Sequence, residues 1–127
     1  MCSPISNCAN ASSLLYNRLR SAFSTDATNW VGFYFRSGKK TLQLGPFCGE
    51  PACQTLRLDK GVCGYCATEA KSVLVPDVHE FPGHIACDEK SRSELVIPIK
   101  TNVSDFRSIY FSINSQLIIS IIVVEVL

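Results

Sequence analysis

Seven of the 127 residues are cysteines, Cys2, Cys8, Cys48, Cys53, Cys63, Cys66 and Cys87, an odd number in a chain with no secretory signal in its opening residues. Thiols clustered in a cytosolic protein point to metal binding or redox chemistry rather than to a disulfide framework. Cys63-Gly64-Tyr65-Cys66 is a C-x-x-C, and His84-Ile85-Ala86-Cys87 follows seventeen residues later. Those four side chains have a spacing compatible with tetrahedral zinc. The intervening residues include the core-like Val73-Leu74-Val75, more chain than a bare zinc loop needs. A C-x-x-C opening a helix also suits a redox dithiol, because a helix N-terminus favours thiolate, but no βαβ pattern leads into this one. Residues 76–94 are the most unusual stretch, with Cys87 on a polar turn. There a thiolate has His84, Lys90 and Arg92 as candidate stabilisers and Asp88 and Glu89 as opponents. The plain alternative for any lone cysteine is a small buried apolar residue.

The elements that must hold these thiols follow from composition and period. With 46% hydrophobic and 18% charged residues and a net charge of +1, the chain has the arithmetic of one compact domain, residues 1–127. It lacks the basic excess that counterion-driven nucleic-acid binding needs and carries too many apolar residues for disorder. Ala11, Leu15, Leu19 and Ala22/Phe23 recur at steps of three and four, which predicts an amphipathic helix from Asn10, its expected N-cap, to Phe23. Aromatic and β-branched density predicts strands at Asn29–Phe35 and Thr41–Leu44, with Gly45-Pro46 as an interruption, and an extended piece at Cys53–Leu58. A helix over Val62–Ala70, strands at Ser72–Val78 and Ser93–Lys100, and a loop through Pro82-Gly83 folding back over the sheet complete the pattern. The predicted class is α+β, an antiparallel sheet flanked by helices.

Residues 108–127 are strongly apolar. Their uninterrupted runs are too short for about 30 Å of hydrocarbon, and Asn114, Gln116 and Glu125 would lie within any longer span. Buried or edge strands are expected there, with no membrane partner.

Asn29-Trp30-Val31-Gly32-Phe33-Tyr34, Leu44-Gly45-Pro46-Phe47 with Ala52-Cys53, Gly61-Val62-Cys63-Gly64, Asp77-Val78, Phe81 to Asp88, and Ser93-Glu94 occur in that order. This succession resembles the free methionine-(R)-sulfoxide reductases, from about residue 10 to 99, some seventy per cent of the chain. The resemblance implies a GAF fold and a cytoplasmic enzyme that reduces free methionine-R-sulfoxide and is recycled by thioredoxin, with a homodimer as the candidate assembly. It implies Cys87 as nucleophile, Cys53 as main resolving thiol and Cys63 as a second, the latter two able to exchange roles. Cys48 and Cys66 are spectators in that scheme. Trp30 and Tyr34 become an aromatic wall around the substrate methyl group, Ile85 and Ala86 further substrate contacts, and Glu94 the carboxyl facing the sulfoxide oxygen. Thiolate attack releases methionine and leaves a sulfenic acid, which condenses with a second thiol. No metal, flavin or nucleotide cofactor is called for.

Beyond Ile99 the family continues into a strand carrying two aspartates in a Gly-Val-x-Asp-x-Asp arrangement and then a closing helix. Neither is expected in residues 100–127, and the ends read as truncated or replaced, as an alternative transcript or a faulty gene model would produce. The expectation is an intact thiol relay on a pocket short of carboxylates, with exposed apolar C-terminal strands prone to associate. Two other functions remain open from the residues alone: a non-catalytic GAF module that binds a small ligand, and the Cys3His zinc module.

Overall fold

A computed structural model describes residues 3–84, 89–100 and the strand at 109–115. The chain opens with helix α1, Pro4–Ala22, followed by strands β1, Thr28–Ser37, β2, Thr41–Gly49, and β3, Thr55–Arg57. Helix α2, Gly61–Glu69, leads to β4, Val73–Val75, then to β5, Ser93–Ile99, and β6, Ile109–Ser115. All strand pairs are antiparallel, in one six-stranded sheet of order β3-β2-β1-β6-β5-β4. The α+β architecture is therefore the expected one, with three differences in detail.

Helix α1 starts six residues before the expected Asn10 cap. Pro4 stands at its first position, where a fixed φ is already helical and the missing N–H would have had no partner, and Ser3 is the N-cap. Strand β2 runs straight through Gly45-Pro46. Gly32 pairs with Phe47 but Tyr34 pairs with Leu44, so two β2 residues oppose Phe33, and the proline without an N–H is absorbed in that bulge. The Pro46 carbonyl accepts a 3.2 Å hydrogen bond from Ser12 Oγ, tying α1 to the bulge. Finally, the strand expected over Ser72–Val78 stops at Val75. Pro76 lacks a ladder donor, and the chain turns into a 3₁₀ turn at Val78–Glu80 capped by the Asp77 carboxylate, which accepts from His79 N–H.

The C-terminal expectation also changes. Residues 109–115 form a strand flanked on one side by β1 and on the other by β5, and Ser112 and Ile113 are buried. An exposed, association-prone edge is thus not what this segment provides. The rest of the tail, 116–127, lies outside the described residues.

Strand alternation divides the core between the two faces. Val31, Phe33 and Ile113 meet Cys8 under α1, with Tyr16 and Leu19 packed against them. Trp30, Tyr34, Leu42, Val96 and Leu56 meet Val62, Cys63, Cys66 and Ala67 under α2. The site lies on this second face.

Candidate active site

Trp30 and Tyr34, four residues apart on β1, point to the same face, as alternation requires. Their rings stack at 5.9 Å between centroids, and Phe47 also stacks on Trp30 at 5.6 Å. Gly32 makes this possible: a Cβ there would sit 2.4 Å from Phe47 Cβ and 2.6 Å from the Trp30 ring. The aromatic pair forms one wall of a cavity whose lining also includes Ala52, Leu56, Val62, Cys63, His84, Ser91, Glu94 and Ser112. Trp30 Nε1 is buried without a hydrogen-bond partner, an unpaired donor beside that space.

Tyr34 also reaches the thiol loop. Its hydroxyl donates to the Cys53 carbonyl at 2.9 Å, so the aromatic wall and the segment before β3 are held together. Burial, and then the neighbouring Cys63 and Glu94, push the Tyr34 phenol well up, so it acts as a neutral donor. Cys53 is disulfide-bonded, whereas Cys8, Cys48, Cys63 and Cys66 are free thiols.

Glu94 on β5 is buried, not the solvated acid its surface-like composition would suggest. Its Oε1 accepts from Cys63 Sγ at 3.3 Å and from Ser112 Oγ at 3.2 Å. Burial raises the Glu94 pKa above the ordinary glutamate range, and the two donors hold it back in part. The same enclosure, and then the charge of Glu94, push the Cys63 thiol well up, and Cys66 is pushed up to about 12 by burial and Glu94. In its bond to Glu94 the Cys63 thiol is the donor, which its raised pKa favours. Burial and then His79, whose ring centroid is 6.4 Å away, lower the His84 pKa.

Of the residues singled out from sequence, the structure brings Trp30, Tyr34, Cys63 and Glu94 into one cavity, with Cys53 bound to its edge through Tyr34. Ile85, Ala86 and Cys87 lie outside the described residues. Among the described residues, no three His, Cys, Asp or Glu side chains converge as metal ligands, and Cys87 of the zinc reading lies outside them. Sequence reasoning missed Ser112. Its place beside Glu94 comes from the pairing of β6 with β1 and β5, which no local signal gives.

No family model matches the chain. It is 47% identical over 100 residues to the free methionine-R-sulfoxide reductase of Saccharomyces cerevisiae, covering 77% of this chain and 54% of that one. The free methionine-R-sulfoxide reductase of Escherichia coli is 47% identical over 91 residues, 72% of this chain and 51% of its own. The chain thus spans about half the length of the curated relatives it matches. Among solved structures, the reduced form of the Staphylococcus aureus enzyme superposes with a TM-score of 0.78 at 38% identity, covering 94% of this chain and 71% of that one. By this combination of sequence identity and shared GAF architecture, the chain belongs to the free methionine-R-sulfoxide reductase family.

Proposed function

We propose that residues 1–127 act as one GAF-like unit that reduces free methionine-R-sulfoxide to methionine. The observation that carries this reading is a single cavity holding a stacked aromatic wall, Trp30 and Tyr34, opposite a buried carboxyl with a raised pKa, Glu94. A sulfoxide sulfur is a poor electrophile until its oxygen receives a proton or a strong hydrogen bond, and a carboxyl whose pKa is raised by burial is better suited to supply one than a solvated acid. The aromatic faces suit the methyl and methylene groups beside that sulfur.

Cys87 is the proposed nucleophile, with Ile85 and Ala86 beside the substrate. Its neighbours in the described chain support that placement: His84 before it and Ser91 after it both line the cavity. The loop holding His84 is tied to α2 by Gly61 N–H donating to the Gly83 carbonyl at 3.1 Å. Ser91 is tied to β1 by Asn29 Nδ2 at 3.0 Å. In the reaction the sulfoxide oxygen passes to the Cys87 sulfur, yielding methionine and a sulfenic acid. The Cys53 thiol condenses with that sulfenic acid, releasing water and forming a disulfide, which an external dithiol of the thioredoxin type then reduces. That Cys53 is disulfide-bonded while Cys63 remains a buried free thiol supports Cys53 as the resolving partner. A reducing, cytoplasmic setting fits a relay that must be reopened each turnover, and a homodimer is the proposed assembly.

The test is incubation of the protein with each epimer of free methionine sulfoxide and excess dithiol. Loss of the R epimer with stoichiometric methionine, abolished by Cys87→Ser, is expected. Binding of the sulfoxide without any methionine would replace the enzyme by a ligand-binding module.

A further inference from the structure

Glu94 is held by an unusual arrangement for a buried carboxyl. Both hydrogen bonds reach the same oxygen, Oε1, one from the Cys63 thiol on α2 and one from the Ser112 hydroxyl on β6, and neither engages Oε2. Ser112 is 1% exposed and sits on one of the two central strands, paired with Gly32 of β1 on one side and Val96 of β5 on the other. We propose that Ser112 is a positioning residue for Glu94: it pins Oε1, sets the carboxyl's rotation and leaves Oε2 as the oxygen presented to the bound sulfoxide. The catalytic meaning of this arrangement rests on the reading of Glu94 as the acid given above.

The two donors are not equivalent. Any disulfide at Cys63 replaces its S–H by S–S and removes that hydrogen bond, whereas a hydroxyl keeps its proton through every thiol state. Ser112 is thus the redox-independent half of the clamp. It is also neutral. A second carboxylate at this position would share a proton with Glu94 and raise its pKa by like-charge repulsion, while a hydroxyl donor stabilises the ionised form and lowers it. Among the described residues, the other titratable groups around Glu94 are Tyr34 from β1, Cys63 and Cys66 from α2, and Lys60 and His84 from the cavity rim; β5 itself carries no other.

The test reads Glu94 directly and needs no turnover. The side-chain carboxyl is titrated by carbon-13 NMR in the full reduced chain, its signal assigned by its disappearance in Glu94→Gln. Ser112→Ala should raise the titration midpoint by about one pH unit, the size expected for loss of one hydrogen bond to a charged group. Ser112→Thr, which keeps the hydroxyl, should return it to the wild-type value. A midpoint unmoved in Ser112→Ala, or raised equally in Ser112→Thr, overturns the proposal. Should Ser112→Ala not fold, Ser112→Cys, with its weaker donor, must raise the midpoint, and no shift there overturns it as well. A wild type that makes no methionine yet shows the Ser112-dependent shift would sink the enzyme reading and leave this one standing. Turnover with a Glu94 midpoint indifferent to position 112 would do the reverse.

Discussion

Glu94 links stability to pH in a direction that can be worked out. Its folded-state pKa is raised, chiefly by burial, so the folded chain binds that proton more tightly than the unfolded chain does. The contribution is fully present below the ordinary glutamate pKa and is lost as pH rises through the raised value. Glu94→Gln keeps an oxygen for Ser112 and Cys63 while removing the charge. Relative to wild type, its melting temperature should therefore be more favourable at pH 8 than at pH 4, and parallel melting curves across that range would contradict the burial argument. The thiols give a second residue-scale prediction. With Cys66 pushed up to about 12, roughly one in ten thousand of its thiols is ionised at pH 8, and Cys63 is raised as well. Iodoacetamide should modify the half-buried Cys48 well before Cys63 or Cys66, as followed by mass spectrometry of the reduced protein. At this scale sequence identified the groups but not their states: nothing in Ser93-Glu94-Leu95 announces a buried acid, because its burial comes from α2 and β6, elements 31 and 18 residues away.

The elements deliver these groups through close backbone approaches. Helix α2 carries Cys63 to Glu94 only because Gly64 lets it lie against the chain after β3: a Cβ at Gly64 would meet the Arg57 and Leu58 carbonyl oxygens at 2.7 and 2.8 Å. Gly64→Ala should cost about 1–3 kcal/mol in chemical denaturation, the range for forced overpacking, and should weaken the Cys63 to Glu94 bond by lifting the helix. The other end of α2 offers the opposite effect. Ala70 closes it in the left-handed region, φ 53°, where a Cβ is unfavourable. Ala70→Gly should stabilise by about 0.5–1 kcal/mol, visible as a melting temperature raised by a few degrees with unchanged chemistry. Helix α2 and strands β1 and β5 were legible because apolar period and aromatic density are local signals. The start of α1 and the passage of β2 through Gly45-Pro46 were not, because one turns on a proline whose helical φ outweighs its reputation as a breaker, and the other on a bulge set by pairing with β1.

Across the whole molecule, β6 is the strand on which everything turns. It joins β3-β2-β1 to β5-β4 and supplies Ile113 to the core under α1 and Ser112 to the cavity on the opposite face. Ile113→Ala should cost about 2–5 kcal/mol, the range for truncating a buried aliphatic residue, and should lower stability at both faces together because the sheet is divided at its centre. A loss confined to the α1 side, read by hydrogen exchange, would show that the two halves hold together without it. Sequence by itself determined the class of architecture, the aromatic pair on β1 and the family, since each depends on residue types at short, fixed spacings. Tertiary structure alone decided that an apolar C-terminal segment lies at the middle of the sheet and that a serine, a cysteine and a glutamate from three separate elements share one oxygen. Hydrogen bonding and desolvation act over a few ångströms in space, and only the folded chain sets which residues those ångströms separate.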